Sequence, residues 1–220
     1  MEGDRSIREE LRALPVFSSP SPSFDYDVLP DAPSELFRTW LRAAIDAGVP
    51  EPHAMTLGTV DPEGAPDARI LILKDQVGDE WHFASSATSA KGRQLQGEER
   101  ATLTFYWTAL GRQVRIRGRV EPLDPRSSGD DFLARGLGAR AVALASEEST
   151  PLGTRDQCVE AVAEARRLVM EDQVLVPDHW TLYSLTATQV EFWQADADRL
   201  HHRVQYRLLD AVWVRGLLWP

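Results

Sequence analysis

Cysteine is almost absent from this sequence, since Cys158 is the only one among 220 residues. A lone thiol excludes an intramolecular disulfide bond and a cysteine-ligated zinc site, and it favours a reducing compartment. No apolar run approaches the roughly 20 residues that span a bilayer, and the N-terminus is too acidic and polar for a signal peptide. We therefore expect a cytoplasmic protein that does not enter a membrane.

Positive charge is also scarce: 24 Lys and Arg residues stand against 34 Asp and Glu residues, which gives a net charge of −10. Because nonspecific affinity for nucleic acid comes mainly from a surplus of Lys and Arg, we expect no nucleic-acid partner. The sequence lacks the glycine-rich nucleotide fingerprints, the G-x-S-x-G hydrolase motif and the H-E-x-x-H metal motif. These absences argue against Rossmann, P-loop and hydrolase classes, and we expect no metal site.

The chain is predicted to consist of an N-terminal arm and one folded domain. Residues 1–30 form a mobile arm, with a short charged helix at 7–14 and a Ser/Pro linker at 18–23. Residues 31–220 form a single domain, because no later segment has the composition of a linker. This domain opens with an amphipathic helix that has Pro33 in its first turn and Gly48 past its end.

Alternation of apolar and polar residues begins at Ala54 and predicts short strands joined by tight turns. The predicted strands are 54–60, 67–74, 80–85, 101–107 and 112–120, followed by 181–186, 190–193, 204–208 and 212–217. The predicted helices between them are 89–97, 124–145 and 154–170. This order predicts a mostly antiparallel β-barrel with added helices, an α+β fold.

A first polar cluster runs from Arg69 to the start of the predicted helix at 89–97. Ser89 is a suitable N-cap, and Lys91 adds a cation to the free N–H groups of that helix end, which together suit a phosphate. Arg69 and Lys74 are five residues apart, so they point to opposite faces of their strand unless a bulge intervenes.

A second polar cluster lies near the C-terminus, where Glu191-Phe-Trp193 is followed by Arg199-Leu-His-His-Arg203. Arg199, His201 and Arg203 share one side if that stretch is extended. On the strand at 112–120, Gln113 alternates with apolar neighbours and belongs to a polar face. The two clusters are predicted to be halves of one site for an anionic ligand.

Several short motifs occur together in the order found in a known family. They are Arg69-Ile-Leu-Ile-Leu-Lys74, Ser89-Ala-Lys91, Phe105-Tyr-Trp107, Gly111-Arg-Gln-Val-Arg115, Glu191-Phe-Trp-Gln194, Arg199-Leu-His201 with Arg203, and Leu218-Trp-Pro220. From about Asp31 to the C-terminus, this joint pattern resembles the FMN-dependent pyridoxamine 5′-phosphate oxidase family.

The resemblance implies an FMN-binding split β-barrel that forms a homodimer, with one FMN in each of two clefts between the subunits. The residues that match cofactor-binding positions are Arg69, Ile70, Leu71, Lys74, Ser85, Ser89, Lys91, Gln113, Ser149, Trp193 and Arg203. Those that match substrate-binding positions are Lys74, Arg135, Arg199 and His201, of which Arg199 and His201 are the catalytic pair. The implied partners are a small aromatic, phosphorylated substrate and O2.

The sequence also departs from the family pattern. Asp131 and Ala139 stand where the family has a tyrosine and a serine that help to hold the substrate phosphate. Glu148 replaces a flavin-site glutamine, Ala90 replaces an arginine, and Ala84 stands where a tyrosine is frequent. Because an aspartate repels a nearby phosphate, Asp131 either points away from the site or indicates another substrate.

Three functional hypotheses follow. The first is an oxidase that converts pyridoxamine or pyridoxine 5′-phosphate to pyridoxal 5′-phosphate and reduces O2 to hydrogen peroxide. The second is a related flavin oxidase of secondary metabolism, of the phenazine type, that acts on a non-phosphorylated aromatic substrate. The third is a flavin-binding protein without catalytic turnover.

Overall fold

The computed structural model describes residues 6–16, 22 and 24–220 of the chain. Among these residues the helices are α1 (Ile7–Ala13), α2 (Pro33–Asp46), α3 (Ala90–Gly97), α4 (Pro125–Leu133), α5 (Leu137–Ala145) and α6 (Arg155–Glu171). The strands are β1 (Ala54–Val60), β2 (Pro66–Val77), β3 (Glu80–Ser86), β4 (Arg100–Trp107), β5 (Arg112–Pro122), β6 (Trp180–Gln194), β7 (His202–Leu209) and β8 (Val212–Leu217). No helix in this part of the chain is long and apolar enough to cross a membrane.

The strands form one antiparallel sheet in the order β3-β2-β1-β4-β5-β6-β7-β8, and an additional pairing of β3 with β6 closes six of them into a barrel. The long strand β6 divides its partners: residues 180–186 pair with β3, and residues 189–194 pair with β7. The predicted antiparallel barrel with added helices is confirmed. Because β7 and β8 continue outward from β6, they extend the sheet beyond the closed barrel.

Helix α2 contributes aromatic side chains to the barrel core. It begins with Pro33 in its first turn, as predicted, and buries Phe37 and Trp40. The Phe37 ring lies edge-on to Phe105, with 5.0 Å between the centroids, and also meets Trp81. Each fully buried aromatic of this kind contributes about 1.5–3 kcal/mol relative to an exposed one. This core fixes the strands that carry the site.

Two predicted elements have different bounds in the structure. The predicted helix at 124–145 is two helices, because α4 ends before Ala134 and α5 begins after Gly136, which is its N-cap. The two strands predicted at 181–186 and 190–193 are the single strand β6. Its register against β5 shifts at Thr188, where an extra residue interrupts the alternation that the sequence pattern relies on.

The last residues of the predicted arm contact strand β7. The Phe24 ring stacks on His202 at 5.2 Å, and the Tyr26 hydroxyl lies 3.0 Å from Nδ1 of the same histidine. The Tyr206 hydroxyl donates to the Pro30 carbonyl at 2.9 Å. Residues 18–21 and 23 of the predicted linker lie outside the described residues, and the mobility of the arm and the single-domain division stay predictions.

Candidate functional site

A cavity of about 360 Å³ lies beside β2 and β3 and is bounded by α3, α5 and the loop that follows α5. Six of the predicted site residues line it, namely Ile70, Leu71, Lys74, Ser85, Lys91 and Arg135. The first three come from β2, Ser85 from β3, Lys91 from α3, and Arg135 from the break between α4 and α5. The structure therefore brings these six together.

A β-bulge on β2 lies at Lys74, whose side chain lines the cavity. The register between β2 and β3 shifts between Leu73 and Asp75, so Lys74 is the extra residue and the alternation that starts at Arg69 is broken there. Lys74 lines the cavity, whereas Arg69 does not.

Arg69 instead links β2 to strand β1 and helix α3. Its guanidinium donates to Thr59 Oγ1 at 2.5 Å, to Asp67 Oδ2 at 2.5 Å and to Gln94 Oε1 at 3.1 Å. A hydrogen bond from Gln94 and, to a smaller extent, the charge of Arg69 hold the pKa of Asp67 below its usual value. A contact between Arg69 and FMN stays a prediction.

Lys74 faces a carboxylate of the same chain. Its Nζ lies 3.4 Å from Asp131 Oδ1, and the Trp180 indole N–H donates to Asp131 Oδ2 at 3.0 Å. The Arg135 guanidinium lies over the Trp180 ring, 4.3 Å from its centroid. Asp131 therefore points toward the site, and it neutralises part of the positive charge that the lysine brings.

The start of α3 has the serine cap that the sequence predicts. Ser89 Oγ accepts from the Gly92 N–H at 3.2 Å and donates to the Ser86 carbonyl at 2.8 Å. Gly92 is required here because a Cβ atom would clash with the Ala87 carbonyl. Lys91 Nζ donates to the same serine oxygen at 3.2 Å. Ser89 thus shapes the helix start, and its contact with FMN stays a prediction.

Two buried polar atoms in the cavity lining have no hydrogen-bond partner among the described residues. They are the Ser85 hydroxyl and the Arg135 Nε. Leaving a buried polar group unpaired costs about 1–3 kcal/mol, so such groups pair with a ligand or an ordered water. Their positions fit a polar ligand in this cavity.

The second cluster forms a row across three strands. Gln113 on β5 is paired in register with Trp193 on β6, and Trp193 is paired with Arg203 on β7. The Trp193 ring lies 4.9 Å from the His201 ring. The structure therefore brings together the three cofactor-binding candidates of this half and places one substrate-binding candidate beside them.

A buried carboxylate holds the guanidinium of Arg203. Glu191 is 3% exposed, and its Oε1 accepts from Arg203 Nη2 at 2.7 Å and Nε at 3.0 Å. Its other oxygen lies 3.1 Å from Arg115 Nη2. Because a buried carboxylate needs such partners, Glu191 fixes the orientation of both arginines.

Arg199 does not belong to an extended stretch. Strand β7 begins at His202, and Arg199 lies in the preceding turn with a φ of 63°. The alternation that would have put Arg199, His201 and Arg203 on one side therefore does not apply to Arg199. His201 Nδ1 accepts from the Asp196 N–H at 3.1 Å, which orients its ring. A left-handed backbone at a non-glycine residue costs about 1–3 kcal/mol and is common at functional sites.

Sequence reasoning missed two kinds of contact at this site. The first kind is the pairing of cavity lysines with the chain's own carboxylates, Asp131 with Lys74 and Glu148 with Lys91. The second is the contact of Tyr26 with His202. The departures from the family pattern signalled the carboxylates, whereas no signal in the sequence joined Tyr26 to a residue 176 positions away.

The two halves of the predicted site are separate within one copy of the chain. The cavity is lined by none of the second-cluster candidates, which are Gln113, Trp193, Arg199, His201 and Arg203. Ser149 does not line it either, although its Oγ accepts from the Ala90 N–H at the start of α3 at 3.1 Å. One copy of the chain therefore does not bring the two halves into a single cavity.

Two family profiles match the chain. One, described as pyridoxamine 5′-phosphate oxidase, matches residues 41–169. The other, described as the pyridoxine 5′-phosphate oxidase C-terminal dimerisation region, matches residues 180–220. The second match covers β6, β7, β8 and the turn between β6 and β7, which together contain four of the five second-cluster candidates.

Individual proteins match over most of their length. A pyridoxine/pyridoxamine 5′-phosphate oxidase from Pseudomonas syringae pv. tomato is 41% identical over 193 residues, which cover 87% of this chain and 90% of that protein. The protein of the same description from Pseudomonas paraeruginosa is 42% identical over the same shares of the two chains.

Solved structures match as well. The crystal structure of PhzG from Burkholderia lata in complex with tetrahydrophenazine-1-carboxylic acid has a TM-score of 0.83 and 30% identity, and the match covers 89% of this chain and 96% of that one. A pyridoxamine 5′-phosphate oxidase-related, FMN binding protein from Nostoc punctiforme has a TM-score of 0.72 at 18% identity, with 87% and 100% covered. The latter likeness concerns the fold alone.

Proposed function

Since this chain belongs to the pyridoxamine 5′-phosphate oxidase family, we propose that it is an FMN-dependent oxidase that converts pyridoxamine or pyridoxine 5′-phosphate to pyridoxal 5′-phosphate. The observation that carries this proposal is the cavity lined by Lys74, Lys91, Arg135 and Ser85, whose hydroxyl has no hydrogen-bond partner within the described part of the chain. Three cations and a buried hydroxyl suit ligands that carry phosphate.

The residues present fit FMN, which members of this family bind. Ser85 and Lys91 would hold its phosphate side, because Ser85 offers a hydroxyl that is unpaired among the residues the structure describes and Lys91 offers an ammonium at a helix start. Gln113, Trp193 and Arg203 of a second copy would complete the site. The chemistry that bound FMN supplies is acceptance of a hydride from the substrate carbon that bears the amine or hydroxyl, with the electrons then passed to O2 to give hydrogen peroxide.

The second copy is part of the proposal, because the two halves of the site are separate within one chain. The dimerisation profile matches residues 180–220, where Trp219 is 90% exposed. Ile70, beside the cavity, is 63% exposed. Large apolar side chains left open to water in this way are typical of surfaces that another protein copy covers.

The protein's own share of the reaction is to bind and orient the substrate. Arg135 and Lys74 supply positive charge for the substrate phosphate, and Arg199 neutralises charge near the reacting carbon. Because His201 Nδ1 accepts a hydrogen bond from the Asp196 N–H, the neutral imidazole carries its proton on Nε2. We infer that His201 helps to orient the substrate and does not act as an obligatory base.

A second candidate function is oxidation of a non-phosphorylated aromatic compound, as in the phenazine-type oxidases. The ion pair between Lys74 and Asp131 favours it, since this carboxylate occupies the lysine that would otherwise meet a substrate phosphate. The likeness to PhzG at 30% identity also agrees with it. The higher identity to the pyridoxine/pyridoxamine 5′-phosphate oxidases favours the first candidate.

The test is a peroxide assay on the purified protein. We expect the absorption bands of oxidised flavin, and peroxide release on adding pyridoxine 5′-phosphate that far exceeds the release with pyridoxine or with a reduced phenazine carboxylic acid. The reverse preference would support the phenazine-type reaction. A flavin-containing protein that releases no peroxide with any of these compounds would support a binder without turnover.

The lone Cys158 favours the cytoplasm as the compartment, and that location is proposed on this ground.

A further inference from the structure

The lysine at the start of α3 is already paired with an anion of its own chain. Lys91 Nζ lies 2.7 Å from Glu148 Oε2, and the two side chains are 13% and 32% exposed. Both residues line the cavity that contains Ser85. At this distance the pair is a charge-assisted hydrogen bond, and a ligand phosphate would have to compete with it for the same ammonium.

The loop that carries Glu148 also occupies a backbone donor at the same place. The Ala90 N–H belongs to the first turn of α3, where N–H groups have no acceptor within the helix. It donates to Ser149 Oγ at 3.1 Å. Ser149 has a φ of 71°, so the loop reaches α3 through a backbone conformation that is costly for serine. The loop thus places a carboxylate and a hydroxyl on the two groups that would attract a phosphate.

Two polar atoms of the cavity lining, the Ser85 hydroxyl and the Arg135 Nε, still lack a hydrogen-bond partner among the described residues. Ser85 itself is 3% exposed. The other cations of the cavity have partners, since Lys74 faces Asp131 and Arg135 lies over Trp180. Neither Glu148 nor Ser149 forms a hydrogen bond with the Ser85 hydroxyl. This hydroxyl therefore remains available to a polar group of a ligand.

We propose that Glu148 is an internal counter-anion that holds Lys91 until the phosphate of the cofactor displaces it, so that the loop at 146–150 controls cofactor loading. This inference rests on the proposed use of FMN. The apparent affinity for the phosphate is the intrinsic affinity multiplied by the fraction of molecules in which the Lys91–Glu148 pair is open. Because the Lys91–Glu148 pair has to break for the phosphate to bind, it also slows association.

The test compares FMN binding to flavin-free, full-length wild type with binding to Glu148→Gln and Glu148→Ala. Titration by quenching of flavin fluorescence gives the affinity, and stopped-flow mixing gives the association rate. We expect both variants to bind FMN about five- to tenfold more tightly and to associate faster, because a partly exposed ion pair no longer competes. The exposed neighbour provides the matched control, Glu147→Gln, which should behave as wild type.

The two variants separate loss of competition from a new contact. If only Glu148→Gln binds more tightly, the gain comes from the amide, and the proposal is wrong. If both variants bind more weakly than wild type, Glu148 is a favourable cofactor contact, and the proposal is also wrong.

Inorganic phosphate separates this proposal from the assignment of FMN. Its binding to the flavin-free proteins, measured by calorimetry, should be stronger in Glu148→Ala than in wild type. Stronger phosphate binding in the variant, together with no flavin binding in any protein, would refute FMN as the cofactor and leave the role of Glu148 standing. Equal phosphate affinity in wild type and variant would refute that role.

Discussion

Substitution of Asp131 by asparagine should improve the use of a phosphorylated substrate. The change removes the negative charge 3.4 Å from Lys74 Nζ and keeps a side-chain oxygen that can accept from the Trp180 indole N–H. The side chain of Asp131 is 12% exposed, so its charge is only partly screened. Lys74 then becomes available to the substrate phosphate, and repulsion between that phosphate and the carboxylate disappears.

The size of the effect follows from the ion pair. At an effective dielectric constant near 20, two unit charges at 3.4 Å attract by about 5 kcal/mol. The side chain of Lys74 is 27% exposed, and water and side-chain entropy reduce such gross values strongly. We therefore expect the substitution to make the binding free energy of pyridoxine 5′-phosphate more favourable by about 1–2 kcal/mol, which lowers KM for this substrate about five- to thirtyfold.

Peroxide release measured against substrate concentration gives KM and kcat separately. KM should fall for pyridoxine 5′-phosphate and stay unchanged for unphosphorylated pyridoxine, with little change in kcat. The neighbouring exposed residue supplies the control, since Asp130→Asn makes the same change in net charge away from the cavity. An unchanged or higher KM for the phosphorylated substrate in Asp131→Asn would refute the argument that Asp131 opposes the phosphate.

Three other substitutions test separate parts of the account. Arg199→Ala should lower kcat at least about tenfold with FMN retained, whereas Arg207→Ala should not; full activity of Arg199→Ala would remove this residue from the site. Lys91→Ala should weaken FMN binding about tenfold or more in fluorescence titration, with Arg93→Ala as the control; unchanged flavin retention after dialysis would show that the phosphate lies elsewhere. Tyr26→Phe should lower the free energy of unfolding by about 1 kcal/mol in urea denaturation, because it removes the hydroxyl beside His202; an unchanged midpoint would show that this contact does not stabilise the fold.

Local sequence patterns predicted much of the fold. The bounds of β1 and β8 agree with the predicted strands, and Ser89 caps its helix as the sequence indicates. These features depend on residues close in sequence. The pattern failed at Thr188, where a bulge shifts the alternation, and at Gly136, where two helices meet. Such irregularities depend on the neighbouring strand or helix, which local periodicity does not describe.

The candidate site was predictable as a set of residues and less so as a set of contacts. The row of Gln113, Trp193 and Arg203 follows from strand pairing across β5, β6 and β7, although the residues are far apart in sequence. Resemblance to the family identified them together. The pairing of Lys91 with Glu148 was not predictable, because it depends on how the loop after α5 meets α3, 57 residues away in sequence.

The central claim is that each site combines the cavity of one subunit with the second cluster of the other. Purified heterodimers of Lys91→Ala and Arg199→Ala subunits, separated by different affinity tags, test it directly. In such a dimer one site carries both defects and the other carries neither, so the account predicts about half of the wild-type peroxide release, while each parent homodimer shows little. A heterodimer no more active than its parents would contradict the claim, because each site would then lie within a single subunit.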